Sequence, residues 1–234
     1  MRMSKKVSRA VVVPAIALSA LALGSAAAFA ASSYNVTAGS APAGPVNYTA
    51  TTTGAGLQVT FTDTTAGVTL NCASASAKGK ITVGTITAAQ PSPPAPTPIG
   101  TVDSTVWNTC TGPGGISLTV TGNHPWSLNA TGDTVGGTTP GSITGVNAHV
   151  AGSCTFDVTG SVDGTYKNGT TDGTVTVPGL LDLPGLTSTL TIRNASFGCA
   201  FVGVRSGDVA SFKAAYQVVA DIGAYNPIQI TSNP

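Results

Sequence analysis

The chain reads as an all-β protein, an antiparallel β-sandwich or a barrel-like form of it, braced by two disulfides. Three observations carry that reading. Apolar and polar residues alternate with period two in many short runs, which is the pattern of strands with one buried face. Glycine turn signals fall between those runs at short intervals, and threonine, which favours strands, occurs 36 times. Four cysteines, Cys72, Cys110, Cys154 and Cys199, lie far apart in sequence.

The clearest alternation lies near the C-terminus. From Val209 the even positions are Ala210, Phe212, Ala214, Tyr216 and Val218, and the odd positions are mostly polar. Upstream, Leu190 and Ile192 share one parity while Phe197, Cys199 and Phe201 share the other. A one-residue slip would turn every side chain to the wrong face, so a bulge or strand break is expected at Asn194-Ala195-Ser196, with a second irregularity near Gly203. Cys199 is then expected to point inward with the two phenylalanines.

The first 30 residues read as a secretory signal peptide. Arg2, Lys5, Lys6 and Arg9 precede an apolar run from Ala10 to Leu23, and Ala28-Phe29-Ala30 offers a small-x-small cleavage site. The competing reading, a membrane anchor, is weakened by Pro14 and Gly24 within that stretch. Cleavage after Ala30 leaves 204 residues with no expected transmembrane segment. The remaining chain has six basic residues against nine aspartates and no glutamate, a net charge of about −3. That balance supplies no basic surface for nucleic acid.

Four cysteines in an exported chain read as a disulfide framework, with three possible connectivities. Sequential pairing, Cys72–Cys110 and Cys154–Cys199, places each pair in a similar strand context. Each bridge closes a loop of about 40 residues, worth about 4 kcal/mol in the chain-entropy model. A metal site is the competing use, but no CxxC occurs and neither histidine is near the cysteines in sequence. No cofactor or metal is expected.

In chain order, residues 31–45 read as a flexible leader and 46–234 as a single sandwich domain. Val46 to Ala50, then Leu57, Val59 and Phe61, alternate around Gly54-Ala55-Gly56. Val68, Leu70 and Cys72 share a face, and Ile81 and Val83 begin another strand. Residues 88–100 hold five prolines and read as a loop, since proline cannot donate to a ladder. Ile116, Leu118 and Val120 alternate, and Trp126 and Leu128 follow Asn123-His124-Pro125. Residues 132–141 read as a glycine-threonine loop. Val146 to Val150 leads to Cys154, Phe156 and Val158. Asp163-Gly164 and Asn168-Gly169 are turn dipeptides of the hairpin kind. Residues 179–185 read as an apolar loop, and Ile228 and Ile230 as a short terminal strand.

The runs LNCASASAKG, IGTVDSTVWNTCTGPGG, PWSLNAT, SFGCAFVGVRSGDVASFKAAY and IQITS together resemble a group of exported actinobacterial proteins of unknown function. The resemblance covers most of the mature chain. It implies an exported all-β protein and no particular activity.

Catalytic signals are weak. The only histidines are His124 and His149, and no GxSxG occurs, so a serine hydrolase lacks its signature. A glycosidase would need paired carboxylates, but Asp157, Asp163 and Asp172 lie near turns, where aspartate is favoured for backbone hydrogen bonding. The same three could offer oxygens to calcium, although no EF-hand spacing is present. A membrane barrel would show aromatic girdles and longer lipid-facing strands. Sugar binding on aromatic platforms is the sharper idea, with Trp126, Trp107 and Tyr166 as candidates and Tyr225 beside them. The competing reading of Trp126 is a core tryptophan. The expected function is therefore that of a secreted or cell-surface, non-enzymatic β protein in adhesion, envelope structure or surface assembly. Its partners would be a cell-wall polymer or a second copy of itself. The alternatives are a carbohydrate- or polymer-binding module and a hydrolase with an unrecognised site.

Overall fold

Backbone pairing, more than any single strand, defines this molecule. The computed structural model describes residues 33–52, 59–88 and 96–233. The expected signal peptide, the Gly54–Gly56 turn and residues 89–95 of the proline-rich loop lie outside the described residues.

β1 (Ser33–Ala38) stands apart from the main ring. β2 (Gly44–Thr52) and β3 (Val59–Asp63) lie end to end, both antiparallel to β4 (Val68–Thr87). β4 pairs along most of its length with β5 (Thr97–Thr111). β6 (Ser117–Gly122) and β7 (Trp126–Ala130) share the next position, between β5 and β8 (Thr138–Ala151). β9 (Phe156–Lys167) runs back along β8. β10 (Thr170–Asp172) and β11 (Val175–Val177) form a separate two-stranded hairpin. β12 (Gly179–Pro184) and β13 (Leu190–Arg193) lie end to end between β9 and β14 (Val209–Ala220). β14 then pairs with β2 and β3, which closes the ring. The result is an up-and-down antiparallel barrel of eight staves, three of them built from two strands each. The expected antiparallel all-β fold with two disulfides is present, in its barrel-like form.

Side-chain alternation places the core inside the ring. On β9, Phe156, Val158, Val162 and Tyr166 are buried, while Asp157, Thr159, Ser161 and Asp163 face outward and are partly or fully exposed. An apolar lumen and a polar outer wall are the reverse of a lipid-embedded barrel. Eight strands leave an interior that side chains just fill or that holds one small ligand.

One end of the barrel is covered by chain. β1 pairs with residues 84–87 of β4, and β15 (Ile228–Asn233) pairs with β1. β15 reaches across to the opposite wall. Tyr166 Oη donates to Ile228 O at 3.0 Å, Asn168 Nδ2 donates to Ile230 O at 3.0 Å, and Ile230 N donates back to Asn168 Oδ1 at 2.8 Å. Ile228 and Ile230 face inward and are buried. The other end carries both disulfides, Cys72–Cys110 across β4 and β5 and Cys154–Cys199 between two loops.

Several expectations are corrected. The stretch expected as a flexible leader contains β1, held by two neighbouring strands with Val36 fully buried. Val68–Cys72 and Ile81–Val83 belong to one long strand, β4. Asp163-Gly164 lies within β9, where a Cβ on Gly164 would overlap Asp182 O of β12, so the glycine serves strand contact and not a turn. Residues 179–184, expected as a loop, form β12, and the loop expected at 132–141 ends where β8 begins at Thr138. The expected proline-rich loop likewise enters β5 at Thr97. The expected break at Asn194–Ser196 is present, with Asn194 in the left-handed region at φ 51°. Beyond it, however, Phe197–Val202 form a 3-10 turn and not a strand. Cys199 is buried and bonded to Cys154, whereas Phe197 and Phe201 are 85% and 84% exposed, their rings edge to face at 5.9 Å. Period-two spacing of Phe-x-Cys-x-Phe imitates a strand. The chain leaves the sheet because residue 198 crosses against Ser153, where only glycine fits, to bring the two cysteines together.

Candidate functional site: the barrel lumen

The lumen is not completely filled. It contains an apolar cavity of about 170 Å³. Its wall includes Phe61, Trp107, Trp126, Leu181, Phe212 and Tyr216, and its ends are bounded by Leu70 and Leu118 on one side and Ile228 and Ile230 on the other. Among the described residues that line it, none is charged. A dry cavity of about 150 Å³ walled by Leu, Ile and Phe accommodates benzene, so this space suits a small apolar molecule.

The three aromatic candidates from the sequence converge here, from three different staves. Trp126 opens β7 and is 6% exposed, Trp107 is half-buried on β5, and Tyr166 is buried on β9. Trp126 therefore does not form an exposed platform for sugar. Tyr225 lies apart, in the turn before β15.

Trp126 and Trp107 meet where the wall is thinnest. β5 pairs with β7 over residues 97–102 and with β6 only at Cys110 and Thr111, so 103–109 have no ladder to that stave. Asn123-His124-Pro125 interrupts the stave opposite this gap, where Pro125 has no N–H to donate. Side chains fill it. The His124 ring packs against Trp126 at a tilt of 40° with centroids 4.4 Å apart, the two indoles lie 6.2 Å apart, His124 Nε2 is 2.9 Å from Thr105 Oγ1, and Trp126 Nε1 donates to Asn123 O at 2.7 Å. Burial holds His124 below the usual imidazole range; a hydrogen bond to the Val102 backbone and the charge of Asp103 oppose it.

Three buried tyrosines, Tyr48, Tyr166 and Tyr216, line the lumen beside the polar side chains of Thr105, Asn129, Thr139 and Ser142. Tyr34 donates to Gly132 O, Tyr48 to Thr101 O and Tyr166 to Ile228 O, each a partner contributed by another strand or loop. Tyr216, 7% exposed and aimed into the cavity, differs: among the described residues nothing hydrogen-bonds its hydroxyl. Burial pushes the Tyr48, Tyr166 and Tyr216 phenols far above their ordinary range, so all three stay neutral. Among the described residues Ser142 Oγ is also buried without a partner; Ser142 touches the lining but pairs in register with Asp163 and Asn129, on the outward row. Sequence reasoning put Tyr216 on the apolar phase of β14 and did not single it out. Its position on that phase was the available signal.

The polar outer wall carries one compact cluster. Asp157 Oδ1 lies 2.6 Å from His149 Nδ1, and Asn194 Nδ2 donates to Asp157 Oδ2 at 2.7 Å. The hydrogen bonds from Asn194 and then His149 hold the Asp157 carboxyl below its usual range. Among the described residues, neither histidine is hydrogen-bonded to a serine, and no group of three His, Cys, Asp or Glu side chains is placed to hold a metal. Among the same residues, no helix is long and apolar enough to cross a membrane.

Fold and site together define a closed, disulfide-braced meander barrel with an apolar lumen. No protein family, curated protein or solved structure matches this chain.

Proposed function

We propose that this is an exported, non-enzymatic binding protein that encloses a small apolar molecule in its lumen. The observation that carries the reading is the unfilled apolar cavity of about 170 Å³, walled by Trp107, Trp126 and Tyr166 and bounded at one end by β15. Protein interiors are ordinarily packed with few voids larger than a water molecule. A cavity of this size removes packing contacts from its own walls, and a bound apolar ligand restores them. The proposal keeps the expected class of a secreted β protein. Two disulfides suit an oxidising compartment.

Adhesion or envelope assembly uses the outer surface, and nothing there is as specific as the cavity. Polymer binding on Trp126 does not suit an indole that is buried. A Ser-His-Asp type hydrolase would need one imidazole linking a hydroxyl to a carboxylate, whereas among the described residues His124 contacts the Thr105 hydroxyl with no carboxylate bonded behind it, and His149 contacts Asp157 with no hydroxyl bonded to it.

Ethylbenzene titrated into the exported protein tests the reading by the rise in melting temperature, which follows mass action for a ligand that binds only the folded state. The expected result is a concentration-dependent rise that is abolished by Ala148→Leu, a substitution that extends a lumen side chain into the space. No rise with the native protein, or an equal rise with the variant, would remove the lumen as the site.

A further inference from the structure

We infer that the lumen ligand carries one uncharged hydrogen-bond acceptor, a ketone, ester or ether oxygen, on an otherwise apolar body about the size of a substituted benzene, and that Tyr216 Oη donates to it. The inference rests on the proposal that the lumen binds a small apolar molecule.

The comparison among tyrosines is the core of the argument. Tyr34, Tyr48 and Tyr166 each give their hydroxyl hydrogen to a backbone carbonyl, as buried hydroxyls ordinarily do. Tyr216 is as buried as they are and no described group accepts its hydrogen. Its position explains why. Leu181 on β12 and Thr52 on β2 are its register partners, and the alternation of β14 sends its ring inward with Ala214 and Val218. The backbone carbonyls beside it are already committed to the ladders. The hydroxyl therefore ends in apolar space, where an unmade hydrogen bond is costly.

A water molecule is a poor substitute, since buried waters make about three hydrogen bonds and, of the other polar side chains in the lining, Thr105, Asn129 and Thr139 are already hydrogen-bonded. The charge of the ligand follows from the wall. Among the described lining residues there is no cation, so a carboxylate or phosphate would be buried without compensation. An alcohol could accept from Tyr216, but its own hydrogen would then need a second partner from the few polar side chains of the lining. An acceptor-only oxygen satisfies the Tyr216 donor and needs no second partner.

Acetophenone and ethylbenzene have the same carbon skeleton and differ by the carbonyl oxygen. Both are titrated by calorimetry into the native protein and into Tyr216→Phe. The ratio of acetophenone to ethylbenzene affinity is expected to fall about five- to tenfold in the variant, the equivalent of one net hydrogen bond. A ratio unchanged by the substitution, with both compounds binding, overturns this inference and leaves the lumen proposal standing. Failure of both compounds to bind the native protein overturns both, and binding of ethylbenzene alone overturns this inference only. The infrared carbonyl stretch of bound acetophenone gives a second reading on the native protein alone. A shift to lower frequency than in hexane supports the Tyr216 contact, and a hexane-like frequency refutes it.

Discussion

Tyr166 Oη on β9 donates to the Ile228 carbonyl of β15 at 3.0 Å, which ties the barrel wall to the strand that covers its end. The Ile228 carbonyl also accepts from Gly169 N at 3.3 Å. Tyr166→Phe therefore leaves the carbonyl one partner, and the expected loss is about 1 kcal/mol of stability, the net value of one hydrogen bond. The loss should be local. Amide hydrogen exchange in 228–233 is expected to speed up more than exchange in β8 or β9, because covering strands open before the ring does. Uniform acceleration, or none at 228–233, would show that β15 does not act as a separate cover.

The covering strand also shows what the sequence could and could not convey. Alternation is local, so it identified Ile228 and Ile230 as a short terminal strand. Their destination depends on Tyr166 and Asn168, about 62 residues away, and no local pattern encodes that reach. Closure of the ring is likewise a pairing property, set by β14 meeting β2 and β3. The cysteine pairing was legible because each bridge joins neighbouring segments of a meander. Phe197 and Phe201 misled because a 3-10 turn with apolar residues two apart is indistinguishable from a strand until Cys154 is in place. Trp126, Trp107 and Tyr166 lie along the lumen, where the competing reading of Trp126 as a core tryptophan fits and an exposed sugar platform does not. A tryptophan beside a turn carries no sign of which way it faces.

Cys154–Cys199 pins the 3-10 turn at 197–202, which has only Cys199 buried. Replacing both cysteines with serine is expected to cost about 2–4 kcal/mol. Residues 196–203 should then become the first site of limited proteolysis, with Phe197 and Phe201 exposed to a chymotrypsin-like protease. The readout is the mass of the first fragments compared with those of the native protein. First cleavage elsewhere would mean that the turn is held by its packing and not by the bridge.

Asp63 ends β3 almost fully buried. Its Oδ1 accepts from Thr65 N and Ala66 N at 2.9 Å each, while Oδ2 has no hydrogen-bond partner among the described residues. Burial raises its carboxyl, the two backbone bonds oppose that, and Asp208 adds to the rise. A folded-state pKa above the unfolded value means that the contribution to stability is fully present below about pH 3.9 and is lost as pH rises through the folded value. Asp63→Asn keeps an oxygen for both turn bonds and removes the buried charge. It is expected to be more stable than the native protein at pH 7 and to lose that advantage near pH 4. Denaturant midpoints across that range decide it. A variant less stable at pH 7 would show that the ionised carboxylate is the favoured form.

His124 has the opposite sign. Burial holds its imidazole below the ordinary value, so the neutral ring is favoured in the folded state. Its contribution is present above about pH 6.5 and is lost as pH falls through the folded value. The ring packs against Trp126 beside the stretch of β5 that has no ladder to the β6–β7 stave, so protonation places a charge against the thinnest part of the lumen wall. Tryptophan emission is expected to shift to longer wavelength between pH 7 and 5 as water reaches Trp126 and Trp107, and ethylbenzene should exchange faster over the same interval. His124→Phe retains an aromatic ring against Trp126 and loses the titrating group. It should abolish the emission shift while leaving the neutral-pH spectrum close to native. The second histidine provides the control. His149 lies on the outer wall with Asp157, and His149→Gln should leave the emission profile unchanged. If His149→Gln removes the shift and His124→Phe preserves it, the pH response belongs to the outer wall and the gap beside β5 stays shut.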